Sequence, residues 1–557
     1  MNHAFTILAV LAVLAAADYT EYLIYSRCEK YTSINTDKDP STCTERLTKS
    51  DCESKKWCYW YEVGQDTIQM ETKYYTPAVP GATTDFETDD GRVVQIAPGV
   101  YGSTWFTENA WVMVTPLNKI IWIDTGYGTQ VTMGRIQRFA AAIGPAFAPG
   151  NLAAIIYGEG HTEHINQAPT ILGFFQQMPC PMPPGQCAAG QVPIIANMEI
   201  LSYVQDIALV KNASLARGRK TLGTYLPTPD PQLGTMMSVY PYEPPGTIFV
   251  PPSTYIPNTI FTPSTTMTIS GVTFVFIPAQ GDSRDAMIIW VPALQLAFVN
   301  DIFFGSTTNI GTIRGECPRN PRLILQGLKT LRDLHPAIMA TGHRGAWMNG
   351  NNYWMNVTEI YGMLSEVVWL LDDLHTQTIA LINTGLYDPD TIARMVQPNM
   401  ALHPYVYAYN WFGWFPNGYS NLQSVVRGIY GYYIGPFDGF GADLWSITRS
   451  ERAAFMMELV ADPENMLNKA KKHIIAQDAD MTTKLTHVAW AAKLADWVIR
   501  YELDLQIAQS EDFDADTLTR GHQTYNDAVR ILGLNNPGLS WRYFYLTEWY
   551  MPETQHH

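Results

Sequence analysis

The sequence has few charged residues, and basic residues are the scarcer kind. Of its 557 residues only 16% are charged, and 36 lysines and arginines stand against 52 aspartates and glutamates, a formal net charge of −16. This balance argues against nucleic acid as a main partner, but a basic pocket on an acidic surface can still bind a small anion. A hydrophobic fraction of 46% excludes a disordered chain, and the length predicts two or three domains.

Long apolar segments are also scarce. The run AFTILAVLAVLAAA has the length of a signal-peptide core, and Ala15 and Ala17 supply small residues before a cleavage site. We therefore expect a signal peptide over residues 1–17, with an uncleaved anchor as the alternative, and no membrane-spanning segment once the signal is removed. The protein is then secreted, or periplasmic in a bacterium, and Asn212 and Asn356 lie in tripeptides that can carry N-linked glycans.

The chain has only seven cysteines, and their distribution agrees with export. Four lie in the polar segment of residues 18–75, where we expect two disulfides with three possible pairings, or alternatively a zinc knuckle. Cys180 and Cys187 are expected to close a small loop, and Cys317 is expected to be a buried free thiol. The four cysteines of the first segment are Cys28, Cys43, Cys52 and Cys58.

The middle of the chain alternates between strand and helix patterns. Four short runs have strand character: RVVQIAPGVYG, AWVMVTP, KIIWIDTG and LAAIIYGEG. The helical stretch VTMGRIQRFAAAIG separates the last two. The prolines of residues 166–265 predict a loop-rich segment, and further strands follow it. This order predicts an α/β sandwich over residues 76–345.

After about residue 320 the apolar residues recur at helical spacing. Apolar residues lie at positions i, i+3, i+4 and i+7 in three segments: PRLILQGLKTLRDL, EIYGMLSEVVWLLDDLHTQTIALINTG and KLTHVAWAAKLADWVIRYEL. We expect an all-helical domain over residues 346–557, with helices layered in TPR-like pairs.

Two histidines and two glutamates lie within six positions of the segment YGEGHTEHINQ, directly after an apolar strand. His161, Glu163 and His164 in this spacing are typical of a metal-binding turn, and Glu159 is a further candidate ligand. The alternative is an ordinary surface turn.

Other residues of ligand type follow later strands. Asp282 comes after VFIPAQG, Asp301 after LAFVN and His343 after AIMATG, whereas Asp124 after IIWI is better suited to orient the histidine turn than to bind metal. Because the ends of such strands meet at one edge of an α/β sandwich, these side chains are expected to converge.

In this order the motifs resemble those of the alkyl sulfatases, a family of the metallo-β-lactamase superfamily. The resemblance extends from about residue 90 to about residue 548 and includes EGHTEH, TISGVTFVFIPAQGD, LQLAFVND, NIGTIRG and ATGH. It implies a metallo-β-lactamase αββα sandwich, a helical dimerisation domain and a homodimer.

The resemblance also implies a site for two divalent metal ions. Asp301 would hold the metal-bound water that attacks the ester, and Arg314 and Asn309 would hold the sulfate. The implied metal ligands are Glu159, His161 and Asp282 for one ion, Glu163, His164 and His343 for the other, and Asp301 as the bridge.

The ligand types differ from those of the family. Glu159 stands where the family has histidine, Glu163 where it has aspartate, and Asp282 and Asp301 where it has glutamate. The resulting carboxylates would neutralise two divalent ions completely, which weakens their effect on bound water. An oxygen-rich shell also favours Mn²⁺ or Fe²⁺ over Zn²⁺.

The expected function is therefore metal-dependent hydrolysis of a small anionic ester, an alkyl sulfate. A hydrolase of the same fold acting on a phosphate or a lactone is one alternative, because a fold does not determine the substrate. A non-catalytic binding or structural protein with an altered metal site is the other.

Overall fold

The computed structural model describes most of the chain after residue 92. The signal peptide, the pairing of the amino-terminal cysteines and Asn356 lie outside the described residues and stay predictions. For the strands at 27–30, 58–61 and 346–348 only the backbone is described. The described ranges are 27–30, 58–61, 93–104, 108–126, 128–181, 187–221, 256–303, 308–343, 346–348, 357–398, 420–437, 439–460, 462–478, 480–536 and 544–545.

Contacts divide the chain into two compact units. The α/β unit comprises Lys73–Gly218 and Val239–Gly439, and the helical unit comprises Met1–Thr72, Arg219–Ser238 and Phe440–His557.

Two sheets form the centre of the α/β unit. Their strands are β3 (Val93–Ala97), β4 (Val100–Thr104), β5 (Asn109–Val114), β6 (Ile120–Ile123), β7 (Leu152–Ile156), β10 (Ile194–Asn197), β11 (Thr259–Phe261), β12 (Thr265–Ile269), β13 (Val272–Pro278), β14 (Met287–Val291), β15 (Leu296–Asn300), β16 (Ile338–Thr341) and β17 (Ala346–Met348). The first sheet has the order β11-β10-β7-β6-β5-β4-β3, and the second runs from β12 to β17 in sequence order. Two-stranded pairs are formed by β1 (Arg27–Lys30) with β2 (Cys58–Tyr61) and by β8 (Met178–Pro179) with β9 (Gln191–Val192).

The two sheets pack face to face. Trp111 of β5 contacts Phe298 of β15, with 6.1 Å between their ring centroids, inside a continuous apolar core shared by both sheets. Strands such as β6, with all four residues buried, are apolar on both faces because helices cover the outer side. The result is the predicted four-layer αββα order.

Helices cover both outer faces. On the first sheet lie α1 (Thr129–Ile143), α3 (Ala168–Phe175) and the start of α4 (Ile200–Leu209), with the short α2 (Thr162–Ile165) at the sheet edge and α5 (Lys211–Thr221) following. On the second sheet lie α6 (Pro321–Asp333), α7 (Val357–Asn383), α8 (Pro389–Met395) and α9 (Leu422–Ile434). By its contacts the α/β unit therefore continues past residue 345, because α7 to α9 bury apolar side chains against the second sheet.

The helical unit contains α10 (Arg449–Val460), α11 (Pro463–Ile475), α12 (Met481–Ile507) and α13 (Ala515–Leu534). Asp462, Asp480 and Asp514 accept hydrogen bonds from the first backbone amides of α11, α12 and α13. These caps explain where the helices begin. None of the helices in the described ranges has the length and apolarity needed to cross a membrane.

The helix predicted at VTMGRIQRFAAAIG and the three long helical patterns are confirmed as α1, α6, α7 and α12. The structure pairs Cys180 with Cys187, as the sequence predicted. The loop-rich description of residues 166–265 was wrong for its described part, because α3, α4 and α5 lie there. Cys317 is a free thiol as predicted but only half-buried, and Asn212 is exposed on α5.

Candidate metal centre

Five strand ends supply the candidate site, all within the α/β unit. Asp124 follows β6, the turn at residues 158–161 follows β7, and Asp301 follows β15 directly. Asp282 and His343 lie a few residues beyond β13 and β16. The structure thus brings together the strand-end residues that the sequence predicted to converge.

The close approach of these loops requires glycine at one point. A Cβ atom on Gly342 would lie 2.3 Å from Oδ1 of Asp301 and 2.9 Å from Cε1 of His164. Any side chain there would displace candidate ligands. Because Gly342 has none, Asp301 after β15 and His343 after β16 can lie side by side.

The predicted ligands form two groups, and the ligand atoms of each group lie within 4.8 Å of one another. The buried group consists of Glu159, His161, Asp282 and Asp301, and the rim group of Glu163, His164 and His343. Asp301 connects them, because its Oδ2 lies 2.9 Å from Nε2 of His343 and 3.8 Å from Nε2 of His164. This division matches the two implied ligand sets, although metal binding itself stays a prediction.

The two imidazoles of the turn approach the site through different nitrogens. His161 directs Nδ1 to Glu159 and Asp282, with 3.4 Å to Oδ1 of Asp282. His164 directs Nε2 inward, and its Nδ1 lies 3.1 Å from Oδ2 of Asp124. Asp124 also accepts a hydrogen bond of 2.9 Å from the backbone N–H of Gly158. Asp124 therefore orients the histidine turn, as expected from sequence.

The crowding of charge shifts the pKa values of both groups. Burial and the neighbouring Asp282 carboxylate raise the pKa of Glu159, and burial raises the pKa of Asp282. Burial alone would lower the pKa of His161, but the carboxylates around it raise that pKa well above its usual range. Burial likewise opposes ionisation of Asp301, yet the imidazoles of His343 and His164 lower its pKa.

The donor set fits divalent cations. Nε2 of His164, Oδ1 of Asp282 and Oδ1 of Asp301 are buried and have no hydrogen-bond partner within the described residues. Buried polar atoms are rarely left unpaired in proteins, and imidazole and carboxylate groups are the usual ligands of Zn²⁺, Mn²⁺ and Fe²⁺. The seven residues could therefore hold two such ions.

Of the two predicted anion-binding residues, Arg314 lies beside the buried group. Nη2 of Arg314 is 2.8 Å from Nε2 of His161 and 3.3 Å from Oε2 of Glu316. The backbone carbonyl of Asn309 accepts a hydrogen bond of 2.6 Å from Arg319. Asn309 is fully buried, and its side-chain amide has no hydrogen-bond partner among the described residues. Arg314 is thus well placed to meet an anion but already shares its charge with a carboxylate.

Several residues at the site were not predicted from sequence. Glu316 contacts His161, and both Arg319 and Tyr203 donate hydrogen bonds to it. Ser283 donates a hydrogen bond of 3.3 Å to Glu159. Glu316 and Arg319 could have been suspected from their closeness to Arg314 in the sequence. Tyr203 carries no such signal, because it comes from α4.

Comparisons with known proteins identify relatives of this chain. Residues 413–554 match the family described as alkyl sulfatase dimerisation. A linear primary-alkylsulfatase of Pseudomonas sp. (strain ATCC 19151) is 25% identical over 440 residues, covering 78% of this chain and 72% of the relative. A second, from Pseudomonas sp., is 23% identical over 71% of this chain but only 52% of its own length.

A solved double mutant of the sec-alkyl sulfatase PisA1 superposes with a TM-score of 0.65 at 17% identity, covering 84% of this chain and 66% of that one. The predicted resemblance to the alkyl sulfatases is confirmed. The sandwich fold and the helical, dimerisation-type region at the carboxyl-terminal end are confirmed with it. The chain spans about two thirds of the PisA1 chain and half of the second curated relative.

Proposed function

We propose that this chain is a secreted, metal-dependent hydrolase of alkyl sulfate esters that works as a homodimer. One observation carries the proposal: the seven residues implied as ligands of two ions meet in one site although they come from separate strand ends. The relatives named as alkylsulfatases support the ester class, and the dimerisation-family match supports the homodimer. Secretion depends on the sequence of residues 1–17 alone.

The buried group would hold one divalent ion and the rim group the other, with Asp301 between them. When bound, such a pair supplies a Lewis acid for the ester oxygen and lowers the pKa of a coordinated water. Residues outside the two groups hold candidate ligands in place. Asp124 fixes the ring of His164, and Ser283 fixes one oxygen of Glu159.

Arg314 is the residue that would orient the sulfate. Its side chain is only 15% exposed and points at the edge of the buried group. A guanidinium presents several N–H donors in a fixed plane, which suits the oxygens of a tetrahedral anion. The buried amide of Asn309 would add a further donor if it turns toward the same anion.

The test measures metal and activity on the same samples. Full-length protein purified without chelators is analysed for metal content and assayed on hexyl sulfate, dodecyl sulfate, p-nitrophenyl phosphate and a γ-lactone. We expect about two ions per chain, from the two ligand groups, and turnover of an alkyl sulfate that Asp301→Asn abolishes. The control is Asp206→Asn, which makes the same change in the half-buried ion pair with Arg284. Metal-loaded protein that turns over none of the sulfates would contradict the proposal.

A neutral ester such as a lactone is the second candidate, for one reason. Arg314 lies within ion-pair distance of Glu316, and Arg319 is bound to the same carboxylate at 2.7 Å. Both positive charges are thereby partly neutralised, which weakens attraction for a sulfate. Turnover of the lactone without turnover of either sulfate would establish this alternative.

A further inference from the structure

Glu316 lies beside the metal centre but outside both ligand groups. Its side chain is 2% exposed, and each carboxylate oxygen has more than one partner. Oε1 lies 3.1 Å from Nε2 of His161 and accepts a hydrogen bond from the hydroxyl of Tyr203. Oε2 accepts from Arg319 at 2.7 Å and from Arg314 at 3.3 Å. Such a carboxylate is held firmly in one orientation.

The contact of Glu316 with His161 mirrors that of Asp124 with His164. Each imidazole has one nitrogen facing the ligand groups and the other facing a carboxylate that belongs to neither group. Carboxylates placed in this way fix the ring orientation and tautomer of metal-binding histidines and increase the basicity of the ligating nitrogen. Asp124 was expected from sequence to orient its turn, whereas nothing assigned a role to Glu316.

The tautomer of His161 has two competing determinants. If Nδ1 carries the proton, it donates to Glu159, and Nε2 accepts from Nη2 of Arg314 at 2.8 Å. If Nε2 carries the proton, it donates to Glu316, and the lone pair of Nδ1 faces Glu159 and Asp282. Nη2 of Arg314 can then no longer donate to Nε2 and must donate to Oε2 of Glu316 instead. Only the second tautomer leaves Nδ1 able to bind a cation in the buried group.

We propose that Glu316 is a positioning residue that keeps the proton of His161 on Nε2 and so presents Nδ1 to the cation of the buried group. The proposal rests on the metal centre of the proposed function. Tyr203 and Arg319 act through Glu316 by holding its two oxygens. The ring of Tyr203 also packs edge-on against His161, with 5.6 Å between centroids, so that the imidazole and its carboxylate are held together.

The test is a metal titration of the full-length, metal-free protein with Zn²⁺ and with Mn²⁺ in competition with a chelator. The variants are Glu316→Gln, Glu316→Ala and Tyr203→Phe. Loss of an outer carboxylate lowers metal affinity by about 10–100-fold. We expect that loss in one of the two binding steps for both Glu316 variants, and a smaller loss in the same step for Tyr203→Phe, which changes no charge. Asp206→Asn is the control for a general effect of charge and should change neither step.

A second readout addresses the tautomer directly. In zinc-loaded protein with ¹⁵N-labelled histidine, the proton on Nε2 of His161 should give a downfield, slowly exchanging resonance. Glu316→Gln should shift or broaden it, while the resonances of His164 stay in place.

The outcomes separate the two proposals. Wild-type protein that binds two ions while all three variants bind them equally well would overturn the role of Glu316 and leave the metal centre intact. Wild-type protein that binds no ion would overturn both. Equal losses in both steps, matched by Asp206→Asn, would show a charge effect and would also overturn the positioning role. Melting curves of the metal-free variants identify any that fail to fold. If the Glu316 variants are among them, the metal titration of Tyr203→Phe decides between the outcomes.

Discussion

The buried group and the rim group are neighbours in one site but differ in burial and donor type. The buried group has three carboxylates and one imidazole, all removed from solvent, whereas the rim group has one carboxylate and two imidazoles, with Glu163 and His343 partly accessible. Oxygen-rich shells favour harder ions and imidazoles suit zinc. The preference for Mn²⁺ or Fe²⁺ inferred from the whole ligand set should therefore apply to the buried group, and the rim group should prefer Zn²⁺.

The largest expected effect comes from removing the residue that the two groups share. Asp301→Ala should empty both metal positions and lower metal affinity by more than about 100-fold, beyond the cost of an outer-sphere change. Metal analysis after gel filtration measures this directly. A variant that retains a full ion in the rim group would show that Asp301 belongs to the buried group alone.

The next change makes the buried group resemble the rim group. Glu159→His replaces a carboxylate by an imidazole. The ratio of bound Zn²⁺ to bound Mn²⁺ should therefore rise roughly tenfold when both ions are present in equal amounts. The measurement is the Zn:Mn ratio after equilibrium dialysis. An unchanged ratio would mean that Glu159 is not a ligand, and Glu159→Ala checks this by its effect on total metal.

The pH dependence of stability should differ between metal-free and metal-loaded protein. The pKa values of His161, His164 and His343 are raised in the metal-free fold, chiefly by carboxylates acting against the effect of burial. Their contribution to stability is therefore complete below about pH 6.5 and is lost as the pH rises through the raised values. Calorimetry should show the melting temperature of EDTA-treated protein falling above that pH, and a parallel fall with bound metal would contradict this account.

The last prediction concerns a carboxylate that neither group uses. Asp285 is buried, burial raises its pKa to about 6, and it forms no ion pair with a lysine or arginine among the described residues. A buried acid with a raised pKa costs stability as the pH rises from its ordinary pKa of 3.8 to the raised value, here at most about 3 kcal/mol. Asp285→Asn should raise the free energy of unfolding by part of this amount at pH 8. The increase should be about half as large at pH 5, as measured by urea unfolding. Equal gains at both pH values would point to another cause.

The site could be predicted from sequence where chemistry and local pattern coincide. The turn from Glu159 to His164 follows an apolar strand, and Asp301 ends another, so residue type and position gave the same answer. The contact between Glu316 and Tyr203 could not be predicted, because it depends on how α4 lies against the loop after β15. The same limit explains residues 166–265, where frequent proline and glycine concealed short helices. Pro169 in fact lies in the first turn of α3, where proline is well tolerated.

The dispersal of the ligands along the chain has a consequence for producing the protein. Glu159 to His164 are close in sequence, but Asp282, Asp301 and His343 come from the second sheet, more than 100 residues later. An unfolded chain therefore offers a metal ion only a fragment of the site, and a cation present at 100 times its dissociation constant favours the native state by about 2.7 kcal/mol. Metal supply during expression should then govern the yield of native protein, and growth in chelator-treated medium should divert newly made chains to aggregation and proteolysis.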